Sequence, residues 1–95
     1  MTVARIYIMH ASETAALESA LESLADAVRP LPGCEGIELL RDLGNEKRFL
    51  FIEKWASEED HKNAGALLPK DVMTAIGAAL DGPPDGAYFD YLKVV

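Results

Sequence analysis

Trp55 and His61 stand six residues apart in the stretch FLFIEKWASEEDH, which runs from Phe49 to His61. Their spacing suits acid–base chemistry in an apolar setting. An imidazole titrates at about pH 6.5 when unperturbed, so His61 can take a proton from a weak acid such as a phenol near neutrality. An indole beside it offers an apolar wall with one N–H donor. Phe49 and Phe51 are candidates to complete that wall, and Tyr7, Glu53 and His10 are candidates to orient a substrate hydroxyl. Each also has a plainer role. Trp55 packs well at a strand–helix corner, His10 fits a surface or interface position, Glu53 can pair with Arg5 or Arg41, and Tyr88 and Tyr91 suit strand packing.

The elements that position the pair are readable from periodicity. Phe49, Phe51, Glu53 and Trp55 share one face of a strand by two-residue alternation, with Leu50, Ile52 and Lys54 on the other. Ser57 is an N-cap, Asp60 stands three residues on, and Glu58, Glu59 and Asp60 put negative charge where orphan helix N–H groups point. His61 then falls on one stripe with Ala64, Leu68 and Val72 and points inward near Trp55. The helix start lowers its pKa, whereas Glu58 and Asp60 raise it.

Thr2 to His10 alternates as a first strand. Ser12 caps a helix with the buried stripe Leu17, Leu21, Leu24 and Val28, and Glu18, Glu22 and Asp26 form its solvated face. Pro30, Pro32 and Gly33 end it, Cys34 to Asp42 is a second strand, and Gly44-Asn45 turns the chain into the third. The second helix runs from Glu58 with a break near Pro69, beyond which Lys70 to Leu80 continues with Val72, Met73, Ile76 and Leu80 inside. After Gly82 to Gly86, Ala87 to Val95 is the last strand. The order β-α-β-β-α-β predicts a ferredoxin-like α+β fold, a four-stranded antiparallel sheet with two helices on one face. Large apolar residues at both strand parities predict a homodimer packed sheet to sheet.

At 95 residues the chain is expected to be one domain over residues 1–95. A net charge of −7 without a basic stripe opposes nucleic acid as a partner. No apolar run approaches the roughly 20 residues of a membrane helix, and the N-terminus lacks the pattern of a secretory signal, so a cytoplasmic location is expected. With two histidines and one cysteine no zinc-type cluster is expected. Cys34 reads as a small buried apolar side chain.

The element order, the P-G-C-x-G run from Pro32 to Gly36 and the Glu53-Lys-Trp-Ala-Ser57 ending of the third strand resemble the antibiotic biosynthesis monooxygenase (ABM) family of the dimeric α+β barrel superfamily. The resemblance implies a cofactor-independent oxidoreductase that oxidises a small aromatic, quinol or phenolic substrate with O2. It implies that Trp55 lines the pocket and that His61 stands where members have tyrosine or histidine. Phe51 replaces an asparagine used by some polyketide-oxidising members. The haem-degrading branch would place a histidine where this chain has Lys70, Asp71, Val72 and Met73. A non-catalytic small-molecule-binding or stress-related dimer, and an oxygen-independent isomerase, share the same fold and pocket.

Overall fold

The computed structural model describes all residues, 1–95. Four strands, β1 (Val3–His10), β2 (Cys34–Asp42), β3 (Asn45–Trp55) and β4 (Asp85–Asp90), form one antiparallel sheet in the order β2-β3-β1-β4. Helices α1 (Thr14–Val28), α2 (Glu58–Ala64) and α3 (Lys70–Ala79) complete the expected α+β architecture.

The register explains which residues meet. Val3, Arg5, Tyr7 and Met9 of β1 stand opposite Trp55, Glu53, Phe51 and Phe49 of β3, so all eight share the inner sheet face. On the far side of β3, Ile37 and Leu39 face Glu53 and Phe51. On the far side of β1, Tyr88 faces Arg5 and Gly86 faces Tyr7. The α1 stripe Leu17, Leu21, Leu24 and Val28 is buried as its spacing requires, in one cluster with Phe49, Phe51 and Trp55. Burying such side chains contributes about 1.5–3 kcal/mol each.

Three helices stand where two are expected. α2 passes through a 3-10 turn, Gly65–Leu67, and stops because Leu68 precedes a proline and takes an extended conformation (φ −74°, ψ 137°). Pro69, also extended, becomes the N-cap of α3. Ser12 does not cap α1. Glu13 holds that position without a side-chain bond, and Ser12 Oγ donates to the Ala79 carbonyl, an orphan acceptor at the end of α3. β3 begins at Asn45 rather than Phe49, because Arg48 pairs with His10 of β1 and, across a register shift, Asn45 pairs with Asp42 of β2, whatever the polarity of residues 45–48. β4 covers Asp85–Asp90 rather than 87–95. Asp90 pairs with Val3, the first residue of β1, which leaves Tyr91 onward with no strand to bond.

The outer sheet face carries Ile6, Ile8, Leu50 and Ile52 at its centre, flanked by the exposed Leu40 and Phe89. No helix is long and apolar enough to cross a membrane.

The Pro32–Gly36 run has a steric purpose. Gly33 has φ +86°, its carbonyl accepts from Ala56 N–H at 2.8 Å, and a Cβ there would sit 2.5 Å from the Asp60 carboxyl group. The loop entering β2 is thereby pressed onto the first turn of α2, the turn that carries His61. Gly33→Ala is expected to lower stability by about 1–3 kcal/mol in urea denaturation, through the left-handed backbone and the displaced α2. An unchanged midpoint would mean that α2 is seated without this contact.

Candidate functional site

Between the inner sheet face and the helices lies a cavity of about 410 Å³, within the size range of small-molecule sites. Leu24, Val28, Leu68, Ile76 and Leu80 belong to its apolar wall, and Tyr7, Glu53, Trp55, His61 and Lys62 make its polar end.

His61 arrives there because Ser57 Oγ caps α2 by accepting from Asp60 N–H at 3.1 Å, which fixes the helix phase. The inward stripe then places Ala64 in the core and packs Leu68 and Val72 against it. The imidazole sits edge-on to Trp55, with ring centroids 5.7 Å apart. Both of its nitrogens are engaged. Nε2 lies 2.9 Å from Tyr7 Oη and Nδ1 lies 2.6 Å from Tyr88 Oη. A neutral imidazole has one N–H and one lone pair, so it donates to one phenol and accepts from the other.

Glu53 is the only buried charged residue, 4% exposed. Its Oε1 accepts from Trp55 Nε1–H at 3.1 Å and lies 3.5 Å from His61 Nε2. Burial pushes the carboxyl pKa up, against the pull of the Trp55 hydrogen bond and of Arg5. Arg5, directly opposite in the register, makes no ion pair with it. The guanidinium lies over the Tyr88 ring at 4.4 Å and the Tyr7 ring at 4.9 Å. Arg41 pairs instead with Glu18 of α1. Burial lowers the His61 pKa, and the charges of Arg5 and Lys62 lower it further, so the ring is neutral near pH 7. The lowering expected from the helix start and the raising expected from Glu58 and Asp60 thus give way to burial and two cations, and the net direction is down.

Four of the expected residues, Tyr7, Glu53, Trp55 and His61, converge at the cavity. Three do not. Phe49 and Phe51 share the face of Glu53, but the α1 side chains packed over them seal both into the core, 2% and 0% exposed. His10 is exposed and, opposite Arg48, points to the other face of the sheet. The single donor of Trp55 is committed to Glu53, which leaves the indole as wall. Tyr88 belongs to the site although its spacing suits strand packing, because β4 lies beside β1 and carries its hydroxyl to the outer nitrogen of His61. The parity of Tyr88 becomes informative only once the β1–β4 register is known. Cys34 is half-buried and burial pushes its thiol pKa up, away from reactivity. Histidine, cysteine and acidic side chains nowhere gather in groups of three or more that could hold a metal ion.

The family model described as antibiotic biosynthesis monooxygenase matches residues 1–66. No curated protein matches the chain. Among solved structures, the chain is similar to SnoaB, a cofactor-independent oxygenase from Streptomyces nogalater, at 20% identity and a TM-score of 0.88, covering 99% of this chain and 96% of that one. It is also similar to Rv0793 from Mycobacterium tuberculosis (18%, TM-score 0.80, 99% and 98% covered) and to PA3566 from Pseudomonas aeruginosa (22%, TM-score 0.76, 95% of each). At these identities the likeness establishes a shared fold.

The two shifted groups act on stability with opposite signs. His61 resists protonation in the fold, so its contribution is present above its ordinary value of 6.5 and is lost as pH falls below it. Glu53 resists ionisation, so its contribution is present below 4.5 and is lost as pH rises through the raised value. NMR titration is expected to place the His61 midpoint below 6.5 and to move it upward in Arg5→Gln and, by less, in Lys62→Gln. A wild-type midpoint above 6.5 would mean that Glu53 is ionised and dominates the ring.

Proposed function

The chain belongs to the antibiotic biosynthesis monooxygenase family, and from that premise we propose that it is a cofactor-independent monooxygenase acting on a small, mostly apolar phenol or quinol. One observation carries the reading: an imidazole held neutral, with both nitrogens bonded, stands at the only polar end of an apolar cavity. Such a site can remove a phenolic proton and keep water from the anion it creates.

The chemistry balances without a further reductant. Loss of the hydroxyl proton leaves an electron-rich anion, which gives one electron to dioxygen. The resulting radical and superoxide combine to form a C–O bond, and the peroxide anion takes up a proton and then loses water, breaking its O–O bond and the C–H bond at the same carbon, to leave a quinone-type carbonyl. One oxygen atom enters the product and the other leaves as water. The protein supplies the proton path through His61, a dry wall from Trp55 and the aliphatic side chains, and positive charge from Lys62 on the cavity lining and from Arg5 over the Tyr7 ring. Glu53 keeps Trp55 in place through its indole N–H.

The outer sheet face supports a homodimer as the working form. Ile6, Ile8, Leu50, Ile52, Leu40 and Phe89 make an apolar surface on the sheet side away from the helices, and a sheet-to-sheet contact of about 800 Å² per partner is ordinary for a stable pair. Light scattering is expected to give twice the chain mass of 10.3 kDa, and Ile52→Asp to give the single mass. A wild-type monomer at micromolar concentration would refute the dimer.

Oxygen uptake by the purified protein, without added metal or flavin, across quinols and polycyclic phenols tests the reaction. His61→Gln is expected to lower the rate by about 10²–10⁴-fold with little change in ligand affinity. Uptake that survives the substitution would remove His61 as the base. Binding without uptake would favour a carrier of small molecules, and turnover independent of oxygen an isomerase.

A further inference from the structure

We propose that Tyr7 Oη, rather than His61, is the atom that meets the substrate hydroxyl, and that the substrate's proton leaves through Tyr7, His61 and Tyr88 in turn. This inference rests on the oxygenase reading for its substrate class and on three observations of geometry.

The first is occupancy. Tyr7 and Tyr88 take up both nitrogens of His61, at 2.9 and 2.6 Å, so the ring can accept a substrate proton directly only by abandoning a hydrogen bond. Tyr7 Oη retains a free lone pair after bonding His61. The second is placement. Tyr7 lines the cavity with His61, and Tyr88 does not, so the three groups run from the cavity to the far side of the imidazole. Tyr7, the deeper phenol, needs an acceptor for its O–H, which His61 Nε2 provides. Nδ1–H then donates to Tyr88, whose own O–H is left for water. The third is charge. The Arg5 guanidinium lies over both phenol rings, forms no ion pair, and its Nε is buried without a partner. A fixed cation against both rings stabilises negative charge on either phenol oxygen as protons pass. Gly86 makes room for it, since a Cβ there would lie 2.9 Å from both Arg5 Nη2 and Tyr7 Cδ1.

The step conserves protons and electrons. As the substrate O–H breaks, its proton joins Tyr7 Oη and the proton of Tyr7 moves to Nε2. The Nδ1 proton moves to Tyr88 Oη, and the proton of Tyr88 passes to water. No electron moves. The opposite tautomer of His61 results, and the proton that returns to the peroxide anion by the same path restores the first. Tyr7 is thus a catalytic residue, while Tyr88 and Arg5 act through others.

Ring-nitrogen NMR of histidine-labelled protein, with 4-nitrophenol as a probe whose coloured anion reports proton loss, tests the path without turnover. In wild type, Nδ1 of His61 is expected to carry the proton and Nε2 to be bare, and bound nitrophenol to ionise. Tyr7→Phe is expected to bind the probe but to slow its ionisation, followed by stopped-flow absorbance, by about tenfold or more. Tyr88→Phe, which does not touch the cavity, is expected to abolish the Nδ1–H preference and to slow ionisation likewise with the fold intact. A wild-type ring protonated at Nε2, ionisation at the wild-type rate in Tyr7→Phe, or failure of the probe to bind would each overturn the proposal. The predicted tautomer and ionisation without oxygen uptake by any compound would remove the oxygenase reading and leave the proton path standing.

Discussion

A carboxylate buried in the middle of an apolar sheet face is the constraint from which the rest of the site follows. Glu53 occupies an inward position between Phe51 and Trp55 because a strand alternates and cannot skip a residue. An isolated ionised carboxylate there would cost several kcal/mol, so its surroundings must answer it. They do so three ways: the indole of Trp55 turns its N–H to it, Arg5 stands opposite it in the ladder, and its own affinity for a proton rises. Each response draws another group into place. The orientation of Trp55 fixes the wall on which His61 rests edge-on. The guanidinium, left without an ion pair, is held between two phenol rings that both reach the imidazole.

Much of this was legible in the chain. The alternation from Phe49 to Trp55, the α1 stripe and the Ser57 cap are local rules, and the structure obeys them because hydrophobic burial and helix phase both act over a few residues. The cavity end of the site followed from the same rules, since the turn between Trp55 and His61 is short and capped. What escaped is what depends on long-range pairing. Phe49 and Phe51 have the parity of Glu53, and only the position of α1 above them decides that they are sealed while Glu53 and Trp55 border a cavity. Tyr88 is separated from His61 by 27 residues, and nothing local marks it.

The two breaks in expected element limits have a common cause. Secondary structure stops where its partners stop, not where propensity does. Tyr91 to Val95 has strand-forming residues but lies beyond the end of β1, whereas residues 45–48 are polar but find partners on both sides, Arg48 on β1 and Asn45 on β2. Leu68 and Pro69 interrupt a helical stripe that otherwise continues, and the interruption lets α3 pack against α1 while α2 stays against β3.

The sheet separates two sets of positions by parity alone. On β1 and β3 the odd-numbered residues from Val3 to Met9 and from Phe49 to Trp55 face the helices and the cavity, and the even-numbered ones between them face outward. A substitution at one parity changes what the cavity admits and leaves the outer surface as it was, and the converse holds for the other parity. A chain of this kind can drift in ligand preference and in assembly along independent mutational routes, although the same two strands encode both.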